Sequence, residues 1–195
     1  MSSLVTKKAP DFTATAVMPD GTFKADFKLS DFSGRYVVLF FYPLDFTFVC
    51  PTEILAFNDM IAEFTKRNTQ VIGVSVDSHF SHFAWRETEI ARGGIGRIEY
   101  PLVSDITKKI SAEYGVLLEA GVALRGLFLM DKTGTVRHQL VNDLPLGRSI
   151  DEALRMVDAL QTYEQAGEVC PANFRKGGKT MKPDRNGLEA YFKSH

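Results

Sequence analysis

Cysteine is scarce in this sequence: there are two among 195 residues, Cys50 and Cys170. So few thiols argue for catalytic, redox-active or inert cysteines over a permanent staple, and no CxxC spacing places a second thiol beside Cys50. Excess charge is also lacking, with 23 Lys and Arg against 24 Asp and Glu for a formal net charge of −1. That balance argues against nucleic acid and against a membrane surface as partner. No long apolar run occurs; the longest, Tyr36 to Tyr42, is strand-sized rather than membrane-spanning. The N-terminus, MSSLVTKKAPDF, lacks the apolar stretch of a secretory signal, so a cytoplasmic location is expected. Gly93-Gly-Ile-Gly96 has neither the Lys-Ser/Thr of a phosphate loop nor dinucleotide-binding spacing. His79 and His82 could share a helix face, but no third ligand gathers near them, and a solvated helix is expected there rather than a metal site.

What is present suits an ordinary globular core, at 45% hydrophobic residues. Tyr36-Val-Val-Leu-Phe-Phe-Tyr42 is continuously apolar and stops at Pro43, as in a central strand covered on both faces. Val71 to Val76 has the same character, and between them Ile54, Phe57, Ile61 and Phe64 recur at helical spacing from Pro51 onward. Strand, helix, strand is a βαβ unit. Further helices are expected over Ser78 to Ala91 and Ile106 to Tyr114. Ala123 to Met130 and Thr135 to Val141 flank Asp131-Lys-Thr-Gly134, a hairpin signal. Ile150, Ala153, Leu154, Val157 and Leu160 form the stripe of a last amphipathic helix. This order predicts an α/β, thioredoxin-like fold with a central mixed β-sheet flanked by helices. From Gly167 to Gly187 the composition turns to Gly, Lys, Pro and Asn, an extended C-terminal arm. The expected division is a domain over 3–164 and an arm over 165–195.

Both cysteines are written Val-Cys-Pro. Proline suits the first helical position because it lacks an N–H that would go unpaired there. Cys50 is then expected at the N-cap, facing free N–H groups and the positive end of a helix dipole, which favour the thiolate. Thr47 lies one turn earlier, and Pro43 fixes how the strand enters the loop. Arg125 interrupts an apolar strand, where a charge is costly unless paired or used. A guanidinium there can hold a thiolate and donate hydrogen bonds to a bound oxyanion or peroxide.

Pro43-Leu-Asp-Phe-Thr47-Phe-Val-Cys50-Pro-Thr-Glu53 resembles the peroxidatic loop of the peroxiredoxins, and Arg125-Gly-Leu-Phe resembles that family's arginine strand. Glu168-Val-Cys170-Pro-Ala is similar to the resolving-cysteine segment of the typical 2-Cys subgroup. The resemblance implies a peroxidase in which the Cys50 thiolate attacks hydrogen peroxide or an organic hydroperoxide and becomes a sulfenic acid. Thr47 and Arg125 would position the peroxide, Pro43 would shield the sulfenic acid, and Glu53 and Arg148 would support Arg125. Cys170 of a partner subunit would resolve the sulfenic acid as an intersubunit disulfide in a homodimer, with five dimers forming a decamer. Thioredoxin or a flavoprotein disulfide reductase would return both thiols, and no metal or organic cofactor is implied. Gly93 to Gly96 and Tyr191-Phe192 resemble the paired elements that slow resolution in members sensitive to overoxidation. Two rival readings are a cysteine hydrolase, with His138 as its base, and an oligomeric holdase that binds unfolded chains.

Overall fold

Tyr36–Phe41 forms β3, and all six of its side chains are buried, as a strand covered on both faces requires. Val37, Leu39 and Phe41 join one cluster with Phe12, Phe27, Ile110, Tyr114 and Phe128. Phe40 faces the other side and stacks on Phe57 at 4.4 Å between ring centroids. The computed structural model describes residues 3–194, in two units that meet between Ile150 and Asp151.

In the first unit the strands are β1 (Thr13–Val17), β2 (Phe23–Lys28), β3, β4 (Thr69–Ser75), β5 (Leu102–Ser104), β6 (Arg125–Met130) and β7 (Val136–Asn142). They form one sheet in the order β2-β1-β5-β4-β3-β6-β7. The β3–β4 and β4–β5 pairings are parallel and the other pairings antiparallel, so the sheet is mixed as expected. The helices are α1 (Cys50–Asp59), α2 (Ile61–Lys66), α3 (His79–Glu87) and α4 (Lys109–Glu113). The second unit carries α5 (Ile150–Ala166) and α6 (Arg185–Lys193).

Several expected boundaries move, each for a local reason. The helix expected from Pro51 through Phe64 divides at Met60, whose backbone (φ −98°, ψ 3°) leaves the helical region. Asp105 caps the short α4, its carboxylate accepting from the Ile110 and Ser111 amides, so the helix expected from Ile106 starts three residues later. Ser78 caps α3, its hydroxyl accepting from the Ser81 amide, but the helix ends at Glu87 rather than Ala91. The Gly93–Gly96 loop follows. Gly93 and Gly96 take φ of 84° and 61°, and a Cβ on Gly94 would lie 1.9 Å from the Thr88 carbonyl oxygen. The hairpin turn stands as read, with Asp131 accepting from the amides of Thr133 and Thr135. The arm expected to be extended through Gly187 instead begins a helix at Arg185, because the Asp184 side chain accepts from the Gly187 amide.

Candidate active site

The first turn of α1 opens on the carbonyl of Val49, which accepts from the amides of Thr52 and Glu53. Val49 is therefore the cap, and Cys50 and Pro51 hold the first two helical positions, one step later than expected. Cys50 keeps its place in the first turn, where backbone N–H groups lack intrahelical partners. Its side chain is fully buried.

Two donors reach the sulfur. The Thr47 hydroxyl lies 2.9 Å from Cys50 Sγ and 2.9 Å from the Leu44 carbonyl oxygen, so its one proton serves either acceptor. Arg125 Nη1 lies 3.4 Å from the same sulfur. Arg125 starts β6, an interior strand between β3 and β7, and is 3% exposed. A buried guanidinium needs partners, and it has them: Nε donates to the Leu144 carbonyl at 2.7 Å and Nη1 to Glu53 Oε2 at 2.7 Å.

Glu53 and Arg148, expected only as supports, complete a saturated ion-pair network. Glu53 lies one turn along α1 from Cys50 and accepts four hydrogen bonds, from Arg125 Nη1 and from the backbone N, Nε and Nη2 of Arg148. Arg148 Nη1 adds bonds to the carbonyls of Phe41 and Gly126, at 2.9 and 2.6 Å. Its guanidinium also lies over the Phe40 ring, 5.2 Å from the centroid. Strand β3, helix α1, strand β6 and the loop after β7 thus converge on one carboxylate. Asn142 holds that loop by donating to the carbonyls of Leu146 and Gly147.

Burial alone would push the Glu53 carboxyl up, but the Arg148 hydrogen bonds and charge, joined by the charge of Arg125, outweigh it and hold it below the ordinary range. A carboxyl depressed in the folded state stabilises fully above its unfolded value, near pH 4.5, and that stability is lost as pH falls through the lower folded value. The stability difference between wild type and Glu53→Gln should therefore be constant from pH 7 to about 5 and shrink below about pH 4. Urea unfolding at a series of pH values checks this; a difference that persists undiminished to pH 2.5 would contradict it.

A second buried network was not legible beforehand. Asp45 lies in the loop that carries Cys50, and its carboxylate accepts from the Tyr42 hydroxyl at 2.9 Å and pairs with His82 Nδ1 at 2.8 Å. His82 Nε2 lies 3.2 Å from the Val103 carbonyl oxygen. The Asp45 amide donates to Asp77, which also accepts from the Ser75 hydroxyl. His82 is thus fully buried rather than on a solvated helix face. The missed signal was Asp45 itself, an acid inside the apolar run Phe40 to Val49 that needed a partner. Among the described residues, no group of three His, Cys, Asp or Glu side chains is placed to hold a metal.

Pro43 is buried where β3 enters the loop. His138 sits on β7 opposite Leu129, whereas the groups bonded to the Cys50 sulfur are a hydroxyl and a guanidinium. Cys170 lies in the second unit as a half-buried free thiol. Tyr191 and Phe192 stand on α6 with their rings 5.7 Å apart.

A buried sulfur in a helix first turn, met by a threonine hydroxyl and a network-held arginine, suits nucleophilic attack by a thiolate on an electrophilic oxygen. Comparison with known proteins agrees. Residues 5–139 match the AhpC/TSA family, and residues 159–194 match the C-terminal domain of 1-Cys peroxiredoxin. The chain is 56% identical to peroxiredoxin-1 of Gekko japonicus, over 100% of this chain and 98% of the relative. It is 54% identical to alkyl hydroperoxide reductase C of Helicobacter pylori, over 98% of each. The crystal structure of reduced Plasmodium vivax 2-Cys peroxiredoxin superposes with a TM-score of 0.96 at 49% identity, covering 98% of this chain and 100% of that one. The fold is accordingly thioredoxin-like, and the chain belongs to the AhpC/TSA family of peroxiredoxins, the thiol-dependent peroxidases.

Proposed function

We propose that this peroxidase works through Cys50 as peroxidatic nucleophile and Cys170 as resolving thiol. The observation that carries the first assignment is the pair of donors on the Cys50 sulfur, from Thr47 and Arg125. The thiolate attacks one peroxide oxygen, the S–O bond forms as the O–O bond breaks, and the second oxygen leaves with a proton as water or alcohol. Arg125 stabilises charge on the departing and attacking atoms, Thr47 orients the peroxide, and Pro43 keeps water from the new sulfenic acid. Glu53 and Arg148 act by fixing Arg125. Hydrogen peroxide and organic hydroperoxides are the substrates.

Residues 3–164 serve as the catalytic domain and residues 165–195 as the arm that brings Cys170, residue 195 lying outside the described residues. Cys170 closes an intersubunit disulfide with Cys50 in a homodimer, which thioredoxin or a flavoprotein disulfide reductase then reduces. Exposed aromatics support further assembly of five dimers into a decamer. Phe23 packs edge-on against His79, Phe80 and Phe83, while Phe48 is 93% exposed on the catalytic loop. Two cysteines used as redox thiols rather than as a permanent staple suit a reducing compartment such as the cytoplasm.

The test is a non-reducing gel beside a thioredoxin-coupled assay. Wild type treated with one equivalent of peroxide should run as a disulfide-linked dimer. Cys170→Ser should consume one equivalent, form no dimer and fail to turn over with thioredoxin. Steady thioredoxin-driven turnover by Cys170→Ser would move the resolving role elsewhere.

A further inference from the structure

Cys170 occupies a defined seat in the second unit. Its thiol donates to the Ala159 carbonyl on α5 at 3.4 Å. One residue before it, Val169 exchanges both backbone hydrogen bonds with Met181, at 2.9 and 3.1 Å. Four residues after it, Phe174 is buried, and its amide closes a turn onto the Pro171 carbonyl. The carbonyl of Phe174 accepts from Arg155 Nη1 at 3.0 Å, across to α5. Arg155 is itself gripped: its Nε and Nη2 donate to the two carboxylate oxygens of Glu152, at 2.6 and 2.7 Å.

A sulfur so seated does not attack. Burial pushes the Cys170 thiol up, with the Arg155 charge opposing that push, and the S–H is directed at a carbonyl. Resolution requires the segment to leave α5. In that step the Cys170 sulfur attacks the Cys50 sulfenic sulfur, an S–S bond forms and the S–O bond breaks. Hydroxide departs and takes up the proton surrendered by Cys170, as water, so no outside oxidant or reductant is needed.

The ties that hold the segment to α5 differ in strength. Lys176 lies 3.8 Å from Asp158 with its side chain 66% exposed, a pair that solvent screens. Arg155 makes a charge-assisted bond from a fork already fixed by Glu152, so little side-chain freedom is lost in making it. We propose that Arg155 is the positioning residue of the resolution step: clamped by Glu152, it holds the Phe174 carbonyl and so sets how often Cys170 leaves α5 to meet a Cys50 sulfenic acid. The proposal rests on Cys170 being the resolving cysteine.

The test uses the full-length reduced chain and its single tryptophan. Trp85 lies 5.7 Å from Phe46, on the loop that carries Cys50, so its fluorescence follows both oxidation and resolution. Stopped-flow traces after peroxide mixing, with disulfide and sulfinic acid quantified by mass on quenched samples, give the resolution rate. Arg155→Gln should resolve roughly tenfold faster than wild type, and its share of sulfinic acid at high peroxide should fall in step. Glu152→Gln, which leaves Arg155 in place but unclamped, should shift both readings the same way by a smaller factor, and Arg155→Lys should lie between. A purely structural Arg155 would lower the melting temperature without accelerating resolution, and unchanged or slower resolution in Arg155→Gln overturns the proposal. Cys170→Ser is run alongside. If its disulfide persists, the resolving assignment fails and the proposal with it. If its disulfide is lost while Arg155→Gln resolves at the wild-type rate, the positioning role alone fails.

Discussion

Cys50→Ser is expected to abolish peroxidase turnover completely while leaving the chain folded. Serine is nearly isosteric, and its hydroxyl can accept from Thr47 as the sulfur does, so the buried site loses little packing. What it loses is the proposed nucleophile: a hydroxyl is not ionised near neutral pH and is a poor nucleophile toward peroxide oxygen. Cys170 does not substitute for it, because its thiol is pushed up by burial and lies against the Ala159 carbonyl. Peroxide consumption with thioredoxin and its reductase in excess reads the effect directly. Activity above background in Cys50→Ser, with its melting curve intact, would remove the sulfur from the mechanism.

Arg125→Ala is the second large effect. It should slow the reaction of Cys50 with peroxide by roughly 10²- to 10³-fold, the usual cost of deleting one preorganised donor at a site of developing charge. It also takes one of four hydrogen bonds from the buried Glu53 carboxylate, leaving the three from Arg148. The fold should therefore survive with reduced stability, since breaking a buried pair costs up to about 3–5 kcal/mol when no other partner remains. Stopped-flow measurement of the second-order rate constant, beside thermal unfolding, separates the two consequences. Arg125→Lys should recover only part of the rate, because an ammonium cannot bond Leu144, Glu53 and the sulfur in one plane. A wild-type rate constant in Arg125→Ala would reduce Arg125 to a structural ion pair.

Much of this site could be read before the structure because its parts break local rules. An arginine in an apolar strand and a cysteine set against proline at a helix start each demand a reason, and the structure joins them within 3.4 Å. β3 and the Asp131–Gly134 hairpin were legible because continuous burial and turn chemistry are written in consecutive residues. The break at Met60 was not, since Ile54, Phe57, Ile61 and Phe64 keep one apolar face across it. Strands β1, β2 and β5 also escaped notice. β2 shows a single buried residue, so no apolar alternation marks the local hairpin it forms with β1, and β5 is three residues long and pairs with strands distant in sequence. The burial of His82 was hidden for the same reason, because its partner Asp45 lies 37 positions away.

The central claim is that Cys50 is the atom peroxide oxidises first. The most direct measurement traps the sulfenic acid of the wild-type chain with an excess of a dione reagent during substoichiometric peroxide addition, followed by peptide mass spectrometry. The account predicts the adduct on the peptide containing Cys50, with Cys170 left as a thiol; an adduct that maps to Cys170 while Cys50 stays reduced would contradict it.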